Sequence, residues 1–597
     1  MQMGFQRWKR VSLWIFVVAM FFAGGAGVWA IVTDMTDVKI THSPAAVHAD
    51  QDELRELVAS GQDAEAFEEA FELGDDLFAT LFNALDGVGA NVGKGQRFTR
   101  VPRSDLKGTG EWFRHTPNRV TGPNSNACNS CHLRPFEDGA GDAAANVHRD
   151  PFRTGLIGQF IQRNTPHVFA VGAIQRLAEE MTDELHARRT ALVNQVCAQG
   201  GTRSVTLIAK LVNYGTLSAT RTQASPCKVT FNTDLVRGID FLPSVDNPDA
   251  PPDLIVRPLQ WKGSVPFIRD FNRGASHNEL GMQAVEIVGD NVDGDFDGVK
   301  NEMTIGDQTA LAVYMAAQPR PTSLVELSIL GLIEPLTQTQ LTTIARGAVV
   351  FGQIGCASCH IPAMAINNPT FSEPSQNAAY RDGTAFPAGQ NPIARGVDPA
   401  FAVKFDLTRD QPDNRIELPN GTTFLLGSLR RDPQGRGLVE LFGDLKRHVM
   451  GPRLAEPVNE IAGDDVTPIP LNPNNRHTPD TFLTENLWGV GSTPPYMHDG
   501  RATTITEAIL EHSTGASSDP SEAKQSRQAY LALPAGDKRA VVAFLENLVL
   551  FKVEEEEGEQ VATIAPKPEA ATLRIPRAAL KRRSTPSILQ APEGIRE

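Results

Sequence analysis

Apolar positions recur at helical spacing in a few separated stretches of the chain. Val11 to Val32 is an unbroken apolar run of about 22 residues behind Arg7, Lys9 and Arg10. It has the layout of a secretory signal and is long enough to span a bilayer, so both a cleaved signal and a retained anchor fit; either places the bulk of the chain in the periplasm or outside the cell. Residues 34–50 read as a polar tether. From Asp52 to Leu85 the apolar side chains Leu54, Leu57, Val58, Phe67, Phe71, Leu77, Leu81 and Phe82 recur at helical spacing, which predicts a helical preamble. Gly87 to Asn126 is rich in Gly, Asn, Arg and Pro and predicts a loop. Further helices are predicted over Val171–Arg189, Thr309–Ala317, 338–353, Thr503–Glu511 and Lys538–Leu550. Short Thr, Val and Pro-rich runs over 198–260 predict β-hairpins inserted over the core, and the Pro, Asn and Gly density of 365–480 predicts loop. Beyond Val553 come Glu554 to Glu557 and a Pro, Ala and Arg-rich tail that predicts disorder.

The expected fold is therefore mainly α. At 597 residues, 41% of them apolar, the chain exceeds one usual core. Two domains are expected, over 51–320 and 321–552, with the seam at Pro319 and Pro321, followed by a tail over 553–597. The net charge of −15 argues against nucleic acid and fits a basic protein partner.

Four of the six cysteines lie in two identical pentads, Cys128-Asn129-Ser130-Cys131-His132 and Cys356-Ala357-Ser358-Cys359-His360. Cys-x-x-Cys-His is the attachment signature of c-type haem: two thiols three apart form thioethers to the vinyl groups, and the adjacent histidine is the axial ligand. A zinc site would need further cysteines, and a redox Cys-x-x-Cys leaves the repeated histidine unexplained. Two covalently bound haem c groups are expected, one per domain. The remaining pair, Cys197 and Cys227, is expected to form a disulfide in an oxidising compartment. Asp293, Asp295 and Asp297 with Gly298 resemble the front half of a calcium loop; Thr304 stands at the twelfth position, leaving Glu302 or Asp307 to complete it.

What lies on the second face of each iron decides function, because an open position permits chemistry and two strong ligands leave only electron transfer. For the second haem the candidates lie between Asn486 and His512: Pro494-Pro495-Tyr496-Met497-His498-Asp499-Gly500-Arg501, then Glu507-Ala508-Ile509-Leu510-Glu511-His512.

With Leu487-Trp488-Gly489, these motifs resemble the bacterial di-haem cytochrome c peroxidase superfamily, closest to its di-haem oxidoreductase (thiol oxidoreductase-like) branch, with similarity to the rubber oxygenases. The resemblance runs from about Phe71 to Leu550. It implies two mainly α cytochrome c-like domains meeting at a cleft. In these peroxidases the second haem's distal ligand follows the motif histidine by 14 positions, which lands on His512. His360 and His512 would then close that haem, Met497 being the alternative ligand and His498 a propionate or loop contact. The peroxidases' first haem carries a distal histidine 16 positions after the pentad, a count that reaches His148 as ligand or gate. Gln175 and Glu179 fall in the region that corresponds to the acid–base groups. Trp261, in Trp261-Lys262-Gly263, matches the tryptophan between the haems, a relay if redox-active and core filling otherwise. The phenylalanine of the rubber oxygenase pocket is replaced by Ser276, beside His277, which weakens that likeness.

The resemblance implies a periplasmic peroxidase-like oxidoreductase, fed by a small donor such as a cytochrome c or cupredoxin and passing electrons from the closed haem to an open or gated one that reduces peroxide. An oxygenase acting on an apolar substrate and a non-catalytic electron-transfer subunit are the alternatives.

Overall fold

A computed structural model describes residues 43–89, 124–149, 157–239, 251–295, 297–381, 391–409, 412, 415–417, 423–457, 478–556, 559–564 and 571–574. The apolar run Val11 to Val32, most of the tether and the last 23 residues lie outside these. No described helix is long and apolar enough to cross a membrane. By its contacts the chain separates into residues 1–44 and 45–597, and the description concerns the second unit.

The longer helices are α1 (Gln51–Ala59), α2 (Asp63–Ala79), α3 (Val171–Gln199), α4 (Ile268–Ala275), α5 (Ile305–Ala316), α6 (Gln338–Gln353), α7 (Ile505–Glu511), α8 (Lys524–Ala532) and α9 (Ala535–Glu546). α5, α6 and α7 each begin with a reciprocal capping box, at Thr304/Asp307, Thr337/Gln340 and Thr504/Glu507. In each the side chains satisfy amide groups that the first turn leaves open. The helical preamble expected over 52–85 consists of α1 and α2, separated by Ser60, Gly61 and Gln62, and ends at Ala79.

Two glycine-mediated crossings organise the helices. α2 buries Ala66, Ala70, Gly74, Leu77 and Phe78. A methyl group on Gly74 would collide with the Ala310 carbonyl and the Tyr314 Cβ, so glycine is what lets α2 lie directly on α5. Gly347 does the same between α6 and α9, against the Ala540 carbonyl and Phe544 Cβ. The largest core cluster joins α2, α3 and α5 with strands from beyond residue 360, while α6 and α9 build a smaller one with Ile505 and Tyr530.

The expectation of a mainly α fold built from cytochrome c-like domains is not met. The chain is mixed, 38% helix and 18% strand, and no cytochrome c domain is seen. The described residues form eight small sheets. β1 (Val147–Arg149) pairs with β2 (Ile161–Arg163), and β3 (Thr202–Ala209), β4 (Val212–Gln223) and β5 (Lys228–Val236) form an antiparallel meander where hairpins were expected. β6 (Arg447–Val449) pairs with β7 (Thr481–Leu483). The stretch 365–480 is mostly loop among its described residues, as expected, but two- to four-residue ladders join the loops, because proline and glycine shorten strands without preventing pairing. Phe371, Val403, Phe405 and Val439 are buried on their inner faces.

The tail also departs from expectation. β8 (Phe551–Glu556), β9 (Glu559–Ile564) and β10 (Ala571–Arg574) make an antiparallel sheet. The β-branched Val553, Val561, Thr563 and Ile564 suit strands despite the surrounding charge. Cys197, near the end of α3, is bonded to Cys227 between β4 and β5, with Cα atoms 5.8 Å apart.

Candidate functional site

The second pentad leaves α6 through Gly355, which takes a φ of 84°. Its first three residues form a tight turn that His360 closes by donating its amide to the Cys356 carbonyl at 3.0 Å. The His360 Nδ1 donates to the Phe442 carbonyl at 3.0 Å, and the His512 Nδ1, at the end of α7, to the Ala508 carbonyl at 2.7 Å. A carbonyl only accepts, so each ring is fixed in the tautomer that leaves Nε2 bare for a metal. The ring centroids stand 6.4 Å apart. That gap leaves room for one metal atom about 2 Å from a nitrogen on each side. Burial, with His512 as neighbour, pushes His360 down to about 4, and burial also lowers His512. Both are neutral imidazoles at neutral pH, as ligands must be. Around them a cleft of about 1620 Å³ of atom-free space, its open mouth included, is lined by Cys356, Cys359, Met497, Ile509 and Leu545.

Two ionisable groups on this wall stand out. His448 places Nε2 on Asp444 Oδ2 and Nδ1 on Glu522 Oε2, both at 2.8 Å, with Cys359 Sγ 3.9 Å away. Burial alone would lower its pKa, but the Asp444, Cys359 and Glu522 hydrogen bonds outweigh it and push it up to about 12. With a carboxylate on each ring nitrogen, His448 is held toward its charged form. Burial pushes Glu485 the other way for an acid, up to about 7.

The first pentad has the same turn, His132 donating its amide to the Cys128 carbonyl at 3.1 Å. Burial pushes His132 down to about 4, opposed by the carbonyls of Gly139 and Pro166. It faces about 1020 Å³ of atom-free space walled by Cys128, Cys131, Phe271, Ser276, Glu279 and Met315. Among the described residues lining this cavity there is no second histidine, and Met315 is the remaining uncommitted sulfur donor. A buried neutral imidazole, two thiols and an apolar chamber fit haem here as they do at the second pentad.

The residues expected to serve the first haem sit elsewhere. On β1 alternate side chains face opposite ways; Val147 lines the chamber and His148 does not. Gln175 and Glu179 on α3 are each 1% exposed and line neither cavity. Gln175 accepts the Ile268 amide at 2.9 Å and donates to Glu179 at 2.9 Å, while Glu179 accepts the Ser375 hydroxyl at 2.8 Å. They brace α4, whose other anchor is a buried ion network in which Arg269 meets Glu286 and Glu373 and Arg273 meets Glu286 and Asp270.

The carboxylate at the first chamber is Glu279, on a widened π-type turn, Ser276–Leu280, that continues α4. Its carbonyl accepts the amides of Asn124 and Ser125 at 2.7 and 2.9 Å, and its side chain accepts from the Asn124 amide group. It is thereby tied to the strand of chain that leads into Cys128. The extra residue of a π turn directs Glu279 inward, and helical spacing in the sequence does not reveal that.

Between the chambers stands Trp261, which lines both, as do Asn164, Thr165 and Pro166. Asn164 is the hub: its carbonyl accepts the Trp261 Nε1 at 2.8 Å, its side chain donates to the Pro495 carbonyl at 2.6 Å, and its amide donates to the His498 carbonyl at 2.7 Å. The His498 ring stacks on Phe482 at 4.4 Å and meets Trp261 edge-on at 6.3 Å. Burial pushes His498 down to about 3; Asp499 opposes this, and Arg163, Arg501 and Lys262 add to it. Sequence reasoning passed over His167, whose Nε2 donates to the Trp488 carbonyl at 2.7 Å and so ties the Asn164-Thr165-Pro166 segment to the C-terminal motif.

Away from both chambers, oxygens of Asp293, Asp295 and Asp297 lie within 4.8 Å of one another. Asp307 is committed to the α5 cap and to His48 and is not their fourth partner.

Residues 474–548, which carry Trp488, Met497, His498 and His512, match a family described as "Di-haem oxidoreductase, putative peroxidase". No curated protein matches the chain. The match supports a peroxidase-like di-haem oxidoreductase and, with it, haem as the cofactor.

Proposed function

We propose that this chain is an exported di-haem c-type oxidoreductase that reduces peroxide at the first pentad with electrons received at the second. The observation that carries the reading is the inequality of the two chambers around a shared tryptophan: two facing imidazoles in one and, among the described lining residues of the other, a single histidine beside a carboxylate. Bound in such places, haem supplies one-electron redox chemistry and, where a coordination position is open, a seat for peroxide.

The chain's own residues do the rest. His360 and His512 would hold the second group between them and so keep substrate out. Trp261, hydrogen-bonded at Nε1 and lining both chambers, carries electrons across. His132 holds the first group from one face. Glu279, at the wall of that chamber, takes a proton from the incoming peroxide oxygen and returns it to the departing one. The thiols of Cys128, Cys131, Cys356 and Cys359 would attach the two groups by thioethers. The electron donor is a small redox protein with a basic face, complementary to the net charge of −15.

The test is peroxide consumption by the fully loaded protein with a pre-reduced small cytochrome as donor. Two donor equivalents oxidised per peroxide are expected, with Glu279→Gln slower by about 10²-fold or more and donor binding unchanged. Unchanged turnover in Glu279→Gln removes Glu279 from the reaction. Oxygen uptake without a donor favours the oxygenase, and inertness toward both oxidants the electron-transfer subunit.

A further inference from the structure

The two halves present the same constellation behind their pentad histidines. At the first, Gly74 admits α2 onto α5, Phe78 of α2 meets the His132 ring at 5.6 Å, and Tyr314 of α5 meets Phe78 at 5.4 Å. At the second, Gly347 admits α6 onto α9, Phe351 meets the His360 ring at 6.3 Å, and Phe544 meets Phe351 at 5.4 Å. Position for position the aromatic packing is repeated, except that the outer ring is a phenylalanine in one half and a tyrosine in the other. Packing alone would be served by phenylalanine in both.

The added hydroxyl is not idle. Tyr314 Oη donates to Asp138, with both carboxylate oxygens 2.9 Å away. Asp138 is fully buried, and its second partner is the Lys552 ammonium at 3.1 Å. Asp75, one residue past Gly74, stands on the same hydroxyl, its carboxyl raised by burial. The tyrosine is 1% exposed. The Tyr214 hydroxyl lies instead on a backbone carbonyl, and that of Tyr380 on a backbone carbonyl and the Thr182 hydroxyl. A phenol is a poor one-electron donor unless a base takes its proton as the electron leaves; a carboxylate at hydrogen-bond distance is such a base.

We propose that Tyr314 is a redox-active tyrosine of the first site, giving up an electron toward His132 through Phe78 and its proton to Asp138. This rests on the peroxide-reducing reading above. One peroxide takes two electrons and two protons and leaves as two waters. One electron comes from the second site by way of Trp261 and one from Tyr314; the two protons come from solvent. The Tyr314 O–H bond breaks, the proton stays on Asp138, and a neutral phenoxyl radical remains. A further electron from the donor protein and the proton held at Asp138 restore the phenol. The arrangement lets the first site complete a two-electron reduction before a second electron has crossed from the partner site.

The experiment is freeze-quenched electron paramagnetic resonance of the haem-loaded full chain after addition of peroxide. An organic radical is expected whose line narrows when ring-deuterated tyrosine is incorporated. It is lost in Tyr314→Phe and kept in Tyr496→Phe and Tyr530→Phe. In Asp138→Asn, where asparagine tolerates the positive φ of 63°, the radical forms roughly tenfold more slowly or less. A tyrosine radical of undiminished yield in Tyr314→Phe overturns the proposal, as does peroxide consumed with no tyrosine radical at all. Should peroxide not be consumed, the reading of the first site fails. Tyr314 is then decided by flash oxidation with a surface-attached ruthenium polypyridyl: a phenoxyl absent from Tyr314→Phe supports it, and one unaffected by that change overturns it.

Discussion

The two pentads use the same turn and the same glycine-mediated helix crossing, yet they build opposite environments. At the second, α7 brings His512 to within 6.4 Å of His360, ring to ring, and His448, held toward its charged form, flanks Cys359. At the first, no helix supplies a second imidazole among the described lining residues; a π-type turn supplies Glu279 instead. One short helix and one widened turn thus separate the two chambers, which on the proposed reading are a site for passing electrons and a site for spending them on chemistry. The crossings set where the pentads sit, and the elements opposite them set what each can do.

The largest expected effect comes from making the second site resemble the first. His512→Ala removes one of two facing imidazoles, so on the proposed reading the optical and magnetic spectra should gain a second open, exogenous-ligand-binding iron. His148→Ala, which changes a side chain outside the chamber, should leave both spectra as they were. A ligand-binding first site lost or gained in His148→Ala contradicts this placement.

Next is the imidazolium. His448→Gln leaves buried Asp444 without its cation and should cost about 3 kcal/mol of unfolding free energy. The folded pKa, about 12, lies above the unfolded 6.5. The stabilisation is therefore full below pH 6.5 and is lost as pH rises from there toward 12, a slope that denaturant melts across pH should find in the parent and not in His448→Gln.

A smaller effect of the same kind belongs to Glu485. Its folded pKa, about 7, is raised above the ordinary 4.5, so the folded state holds the extra proton and stability falls as pH rises between those values. Glu485→Gln should flatten that fall, by about 1–3 kcal/mol at pH 8; an unchanged slope would mean the carboxyl is solvated. Smallest for the chemistry is Gln175→Ala, at a residue that lines neither chamber. It loses the hydrogen bond to the Ile268 amide and should cost about 1–2 kcal/mol of stability with peroxide turnover per folded molecule unchanged. A large loss of turnover would bring Gln175 back to the chemistry.

The pentads were legible as haem-attachment signatures because their Cys-x-x-Cys-His spacing can be read without any structure, and Trp261 because its segment resembles a known one. His512 was reachable only by counting from His498. Gln175 and Glu179 were misplaced because a helical period tells which residues share a face and not what that face meets: theirs meets α4 and Ser375. Glu279 was hidden by a π turn. The small sheets escaped because partners such as Thr370–Glu373 and Val403–Asp406 are far apart in sequence and each strand is too short to show a period of two. One signal was present and unread. Gly74 and Phe78 repeat as Gly347 and Phe351, and Ala310 and Tyr314 repeat as Ala540 and Phe544. That pairing announces both helix crossings and the single tyrosine that distinguishes them.

The central claim is the inequality of the two sites, and low-temperature electron paramagnetic resonance of the haem-loaded protein, fully oxidised and then reduced by one electron, tests it most directly. The account predicts one bis-histidine low-spin signal that persists when cyanide is added, and a second iron, after one-electron reduction, whose signal shifts with cyanide. Two low-spin irons indifferent to cyanide in both oxidation states would contradict it.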